Sequence, residues 1–339
     1  MRRVVVYPGR IAVEEADLPV PGPGEALVAT LVAGVCGSDL HAAHGRHPFV
    51  PLPYRPGHEV VGVVETAGGA AAGLAPGQRV IVEPDLPCWT CQMCASGREN
   101  LCENLQFFGC GYHQGGMADY FTLPANRLHP VPDELDDLTA ALIEPLATPV
   151  HAVRLAGDVG GRSVAVLGAG TIGLLTLAVL RAHGAGKVVS TDPLPAKRDR
   201  AAALGADATI DARSPDVAGQ VRKALGGSAD IVFDCVSVQS SVDQAIAIAD
   251  KGGTVVIVGV PVEAVTVPLP VVQDHQIRIQ GSATYLPEDY RESARLLGQG
   301  AVRTADFVTA VRPLEQAAEA FALAGSGDHV KVLVTAGKR

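Results

Sequence analysis

Between Ser163 and Gly281 short apolar runs alternate with segments of helical character, and this alternation restricts the fold more tightly than any other feature of the chain. The apolar runs are Ser163–Leu167, Lys187–Asp192, Ala208–Ile210, Asp230–Val236, Thr254–Gly259 and Ile277–Gly281. Helical patterns fill Thr171–His183, Pro195–Leu204, Val217–Leu225 and Val242–Ala249. Strands separated by helices predict an α/β domain built on a doubly wound parallel sheet. A run such as Val255-Val256-Ile257-Val258 is what a strand covered on both faces needs.

The first turn of this unit reads Gly168-Ala169-Gly170-Thr171-Ile172-Gly173, a G-x-G-x-x-G match between a strand and a helix. The first glycine permits the tight turn, the second lets a pyrophosphate approach the backbone, and the third lets the helix pack close to the strand. The phosphate then sits at the positive end of the helix. Asp192 ends the second strand, where a carboxylate accepts hydrogen bonds from a ribose and repels a 2′-phosphate. The expected cofactor is therefore NAD. Thr148, where the texture of the chain changes, joins the cofactor-binding set. Lys197 and Arg198 are the dissenting basic residues, and they are expected on a solvated helix face.

Residues 1 to about 147 have a different texture. Arg3–Tyr7, Ala26–Val35, Val60–Ala67 and Gln78–Glu83 are β-rich and are separated by Pro/Gly turns, which suggests a distorted barrel or sandwich. Gly68 to Gly73 reads as a small-residue turn. After Ser282, helices around Asp289–Leu297 and Leu314–Ala324 and a strand at Val330–Val334 are expected to return to the first domain. The expected organisation is 1–147 and 283–339 as one discontinuous domain, with 148–282 inserted as the nucleotide domain.

Two groups of metal-binding residue types lie in the first segment. Cys36 and the pair His58-Glu59 can supply three ligands to one divalent ion, and a fourth position left open marks a catalytic rather than a structural site. Cys88, Cys91, Cys94 and Cys102 have the spacing C-x2-C-x2-C-x7-C, within a lobe spanning 84–104. Loops of this kind wrap four thiolates around one tetrahedral zinc, a closed site with a structural role. An iron–sulfur cluster and a nucleic-acid zinc ribbon are the alternatives. Cys110 and Cys235 are left over, and Cys235 is expected in the core of an apolar strand.

Composition excludes several classes. The net charge is −9, and aromatics make up only 4% of the chain, so neither a phosphate-neutralising surface nor a base-stacking platform for nucleic acid is expected. No run is long and apolar enough to predict a membrane span, and the N-terminus does not read as a signal peptide. Seven cysteines, four of them within 15 residues, point to metal rather than disulfides and to a reducing cytoplasm.

The chain resembles the zinc-dependent medium-chain alcohol dehydrogenases over essentially its whole length. The motifs that carry the resemblance are Gly-Val-Cys-Gly-Ser-Asp-Leu-His at 34–41, Gly-His-Glu at 57–59, the cysteine lobe, Glu144-Pro145-Leu146 and Gly168 to Gly173, in that order. The His58-Glu59 pair and Ile143-Glu144-Pro145-Leu146-Ala147 are most similar to the sorbitol, butanediol and threonine dehydrogenase branch. The resemblance implies a GroES-like irregular β-barrel catalytic domain interrupted by a Rossmann domain. It implies Cys36, His58 and Glu59 as ligands of a catalytic zinc, with Glu144 either binding the metal or holding its water. It implies Ser38 and His41 as a proton relay, with Asp39 as a support behind them.

One departure stands out. Polyol enzymes carry an Arg-Tyr pair where this chain has Thr284-Tyr285, which puts sorbitol itself in doubt and makes the segment look more like butanediol-type enzymes. His44, His47, His113 and Tyr285 are further pocket candidates. The implied activity is reversible oxidation of a secondary alcohol (a polyol, diol or cyclitol) to its ketone by hydride transfer to NAD. A threonine 3-dehydrogenase-like activity and a catalytically silent relative are the alternatives. A homo-oligomer, tetramer or dimer, is implied by the family alone.

Overall fold

The computed structural model describes residues 1–67 and 73–337, so most of the small-residue turn beginning at Gly68 lies outside the described residues. The chain divides into two compact units, one of Met1–Pro145 with Leu286–Arg339 and the other of Leu146–Tyr285.

In the first unit the organising element is the strand Glu25–Val35, the longest among the described residues, with most of its apolar side chains buried. It pairs antiparallel with Glu59–Ala67, with Tyr120–Pro124 and with Lys331–Thr335. Further pairings extend the sheet to seven strands, six in a row from Val308–Pro313 at one edge to Leu128–Pro130 at the other, with Tyr120–Pro124 as a side branch. The C-terminal strand thus reaches the first unit by pairing Val332 with Val35 and Leu333 with Gly34. A separate hairpin, Arg2–Tyr7 with Arg10–Glu15, buries Val4, Val5 and Val6. The core is mostly valine and small aliphatic, with Phe108 and Phe121 in ring contact at 5.0 Å. β-Branched side chains of this kind favour a pleated surface.

The second unit is a six-stranded, all-parallel sheet. Its strand order is Ala208–Ile210, Val188–Thr191, Val164–Leu167, Ala229–Asp234, Ala249–Ile257, Arg278–Gly281. In sequence order this is 3-2-1-4-5-6, the doubly wound arrangement, with its switch point between the first and fourth strands. Val164–Leu167 is buried along its whole length, as a strand covered on both faces must be. Helix Val217–Leu225 illustrates local agreement between sequence and fold. Asp216 caps it by accepting from the Gly219 N–H at 2.8 Å, and Gly226 ends it in the left-handed region.

Element bounds differ from the sequence reading in a few places. The fifth strand begins at Ala249 rather than Thr254, and the helix before it begins at Gln239. Cys235 lies one residue beyond its strand and is half-buried rather than in a strand core, with Sγ 3.8 Å from Thr176 Oγ1. Among the described residues, no helix is long and apolar enough to cross a membrane.

Candidate active site and metal centres

Cys36 stands where strand Glu25–Val35 gives way to helix Gly37–Ala43, in an extended conformation. Its N–H donates to Asp39 Oδ2 at 3.0 Å, and Asp39 Oδ1 accepts from Tyr54 Oη at 3.0 Å. Asp39 is fully buried. Burial raises its pKa, while His58 and the Cys36 N–H oppose that shift.

Gly57 brings His58 into place. Its φ is 108°, and a Cβ there would lie 2.3 Å from the Met117 nitrogen, so only glycine fits. His58 is buried and meets the Phe107 ring edge-on at 5.5 Å. Burial alone would lower its pKa, but the nearby Asp39, Cys36 and Glu144 charges raise it well above the ordinary value. Glu59 opens the next strand and pairs with Gly34, where a Cβ would sit 1.8 Å from Glu59 Oε2.

One ligand atom each from Cys36, His58 and Glu59 lie within 4.8 Å of one another. Sequence reasoning missed the partner of Glu59. Lys331 Nζ donates to both of its carboxylate oxygens, at 2.6 and 2.7 Å, and both side chains are buried. Burial would lower the lysine pKa, yet the Glu59 and Cys36 charges raise it above its ordinary value. The available signal was a lone lysine within the apolar run Val330–Val334, since a charge in such a place needs a partner.

Glu144 lies in the first turn of helix Ile143–Ala156 and is buried. It is not in the three-residue donor group, although its charge acts on His58. Ser38 and His41 are three residues apart on helix Gly37–Ala43, which puts them on one face. No hydrogen bond joins them among the described residues. The His41 pKa is lowered by partial burial and by the charges of Arg46 and His44.

Among the remaining pocket candidates, His44 Nδ1 meets the Leu40 carbonyl at 2.7 Å and His47 Nδ1 accepts from the Phe49 N–H at 3.2 Å. His113 is exposed against the Tyr112 ring. In the second unit Tyr285 is buried. Thr284 sits at a φ of 46°, an uncommon conformation for a β-branched residue, with its hydroxyl buried and unpartnered.

The four lobe sulfurs also lie within 4.8 Å of one another. Cys91 Sγ is 3.5 Å from Cys94 Sγ and 3.9 Å from Cys102 Sγ. Tetrahedral zinc with Zn–S near 2.3 Å requires sulfurs roughly 3.8 Å apart, so the lobe fits that ion. Amide donors from Cys88 and Asn104 point at Cys102 Sγ at 3.2 and 3.3 Å. The Thr90 hydroxyl is the main cause that lowers the Cys88 thiol to about 5, whereas desolvation and neighbouring sulfurs push Cys94 up to about 12. Crowded thiolates of this kind need a cation. At the other centre, the Nδ1 of His58 is buried without a partner, and a thiol–imidazole–carboxylate donor set suits zinc.

The glycine loop follows strand Val164–Leu167. Gly168 has a φ of 90°, and a Cβ on Gly173 would lie 1.8 Å from the Gly168 carbonyl oxygen. A Cβ on Gly170 would meet nothing within 4 Å, which leaves room there for a phosphate group. Asp192 is buried at the end of the second strand. Its Oδ2 accepts from the Ala169 N–H at 3.0 Å and its Oδ1 from the Leu194 N–H at 2.9 Å. Arg198 departs from expectation. It is half-buried and folds back to donate to the Asp192 and Pro193 carbonyls at 2.8 and 3.0 Å. Thr148 lies within helix Ile143–Ala156.

Comparison with known proteins agrees with this construction. Residues 22–133 match the model of the alcohol dehydrogenase GroES-like domain, and residues 171–299 that of the zinc-binding dehydrogenases. The chain is 35% identical to the sorbitol dehydrogenase of Bos taurus over 337 residues, covering 98% of this chain and 94% of the relative. The chain belongs to the zinc-dependent medium-chain alcohol dehydrogenase family, in its polyol branch.

As a member of that family it is an oxidoreductase that uses zinc and NAD(H). A zinc-binding dehydrogenase from Sinorhizobium meliloti 1021, solved bound to NADP, superimposes with a TM-score of 0.92 at 35% identity and 99% coverage of both chains. The 2R,3R-butanediol dehydrogenase of Bacillus subtilis does so with a TM-score of 0.91 at 28% identity, again with 99% coverage of both.

Proposed function

We propose that the chain interconverts a secondary alcohol, of the polyol or vicinal-diol class, and its ketone, with Cys36 and His58 at the catalytic zinc. The observation that carries this reading is the convergence of Cys36, His58 and Glu59 donor atoms within 4.8 Å in a chain of this family. Lys331 holds Glu59 in that donor group, and the buried Glu144, whose charge acts on His58, is the second carboxylate assigned to bind the metal or hold its water. When bound, zinc supplies Lewis-acid polarisation of the alcohol oxygen, and a pKa shift of about nine units would favour ionisation by on the order of 12 kcal/mol.

The chain's own residues handle the proton. The Ser38 hydroxyl takes up the alcohol proton as it gives up its own, and His41, neutral to lower pH than an ordinary histidine, receives that proton across a bridging water and passes it to solvent. Asp39 fixes the Cys36 backbone, and the four-cysteine lobe holds a structural zinc. Gly168, Gly170 and Gly173 shape the pyrophosphate turn, and Asp192 favours NAD over NADP through its charge.

Seven unpaired thiols support a reducing, cytoplasmic setting. The exposed edge strand Arg278–Gly281, with Ile279 and nearby Val260, Val262 and Leu269 exposed, supports association of like chains. Formation of NADH at 340 nm with a panel of diols, polyols, cyclitols and threonine tests the reading. Turnover confined to threonine, or none with any alcohol, overturns it.

A further inference from the structure

A cleft of about 510 Å³ lies on the first unit between helix Pro287–Gly298 and the strands Arg79–Val82 and Leu128–Pro130. Its volume is within the range of small-molecule sites. Ile81, Pro130, Ile143, Ala294 and the Tyr290 ring give it apolar walls. One wall is a fixed imidazole. His129 Nε2 bonds Glu83 Oε2 at 2.5 Å, and the fully buried Glu83 takes Arg127 Nη1 at 2.5 Å through its other oxygen. That commitment of Nε2 leaves Nδ1 as the ring nitrogen available to an occupant.

The rim carries two guanidinium groups. Arg295 is held by Glu292 and Gln299, whereas Arg291 has no hydrogen bond or ion pair among the described residues. Glu134 is the one carboxylate among the lining residues, and it opposes a second negative group. Ile143, in the wall, directly precedes Glu144, whose charge acts on His58.

We propose that this cleft is an effector site for a small monocarboxylate with an apolar body, the carboxylate meeting Arg291 and the body filling the space beside Tyr290 and Ala294. Occupancy bears on the catalytic centre through Ile143 and Glu144.

Equilibrium dialysis of the zinc-loaded protein against 2-naphthoate, without alcohol or NAD, tests the site apart from the proposed reaction. One equivalent should bind per chain, with neutral 2-naphthamide at least tenfold weaker. Arg291→Met, an exposed position, should weaken naphthoate about tenfold and leave the amide unchanged. Ala294→Trp, which fills the cleft, should remove both. Naphthoate should also change turnover without competing with alcohol. Absence of saturable binding, equal binding of acid and amide, or retained preference in Arg291→Met would overturn the site. Competition with alcohol, or no effect on turnover, would overturn the effector role.

Discussion

Lys331 Nζ holds both carboxylate oxygens of Glu59, at 2.6 and 2.7 Å, although 272 residues separate them in the chain. The pair ties strand Lys331–Thr335 to the strand that begins beside His58. Breaking a buried ion pair from one side leaves an uncompensated charge, which costs about 3–5 kcal/mol. Lys331→Met should lose that much in urea unfolding, and the double variant Lys331→Met/Glu59→Gln should recover most of it. A single-variant loss below about 1 kcal/mol would remove the pair from the account.

Trp89, the only tryptophan of the chain, sits in the cysteine lobe with the Arg127 guanidinium 4.6 Å from its ring centre. Its emission should therefore report the structural metal. Cys94→Ser, or a chelator strong enough to strip the lobe, should shift the spectrum toward that of a solvated indole. Cys36→Ala should leave it unchanged. An identical shift in both variants would show that the two centres are not separate.

The pH dependence follows from His41. Partial burial, Arg46 and His44 lower its pKa below the ordinary 6.5, so the neutral base persists to lower pH. The acid limb of kcat/KM should lie below the ordinary histidine range. Arg46→Met removes one of the lowering charges and should move that limb upward. His41→Ala should lose about one to three decades in rate, mostly at low pH, in keeping with the typical contribution of a general base. A limb that stays in place in both variants would exclude His41 from proton transfer.

For the cofactor, Asp192→Asn keeps an acceptor for the Ala169 N–H and removes the charge. Charge-assisted hydrogen bonds contribute about 1.5–3 kcal/mol, so the NAD preference in kcat/KM should narrow roughly 10- to 100-fold. Arg198, folded against the Asp192 carbonyl, then becomes with Lys197 a cation close in sequence for a 2′-phosphate. Equal use of NAD and NADP by the unaltered protein would refute the role given to Asp192.

The parallel sheet was legible because its signal is local. A strand such as Val164–Leu167 is apolar throughout, and Gly173, which follows it, is forced by a contact only a few residues away, against the Gly168 carbonyl. The residues of the two converging donor groups were legible by type and spacing. What surrounds them was not. The Lys331–Glu59 pair, Tyr54 on Asp39, and the Glu83–Arg127–His129 set all join residues far apart in sequence, and no periodicity records which strand a chain will pair with. Arg198 was misplaced for a related reason, since helical spacing sets a face but not whether a long side chain folds back onto a nearby carbonyl.

The central claim is tested most directly by NADH formation at 340 nm in Cys36→Ala, assayed at saturating alcohol after NAD binding has been shown intact. Turnover should be abolished while the dinucleotide still binds, because the thiol and the glycine loop belong to different units. A near-normal kcat in that variant would contradict alcohol oxidation at the Cys36–His58 centre.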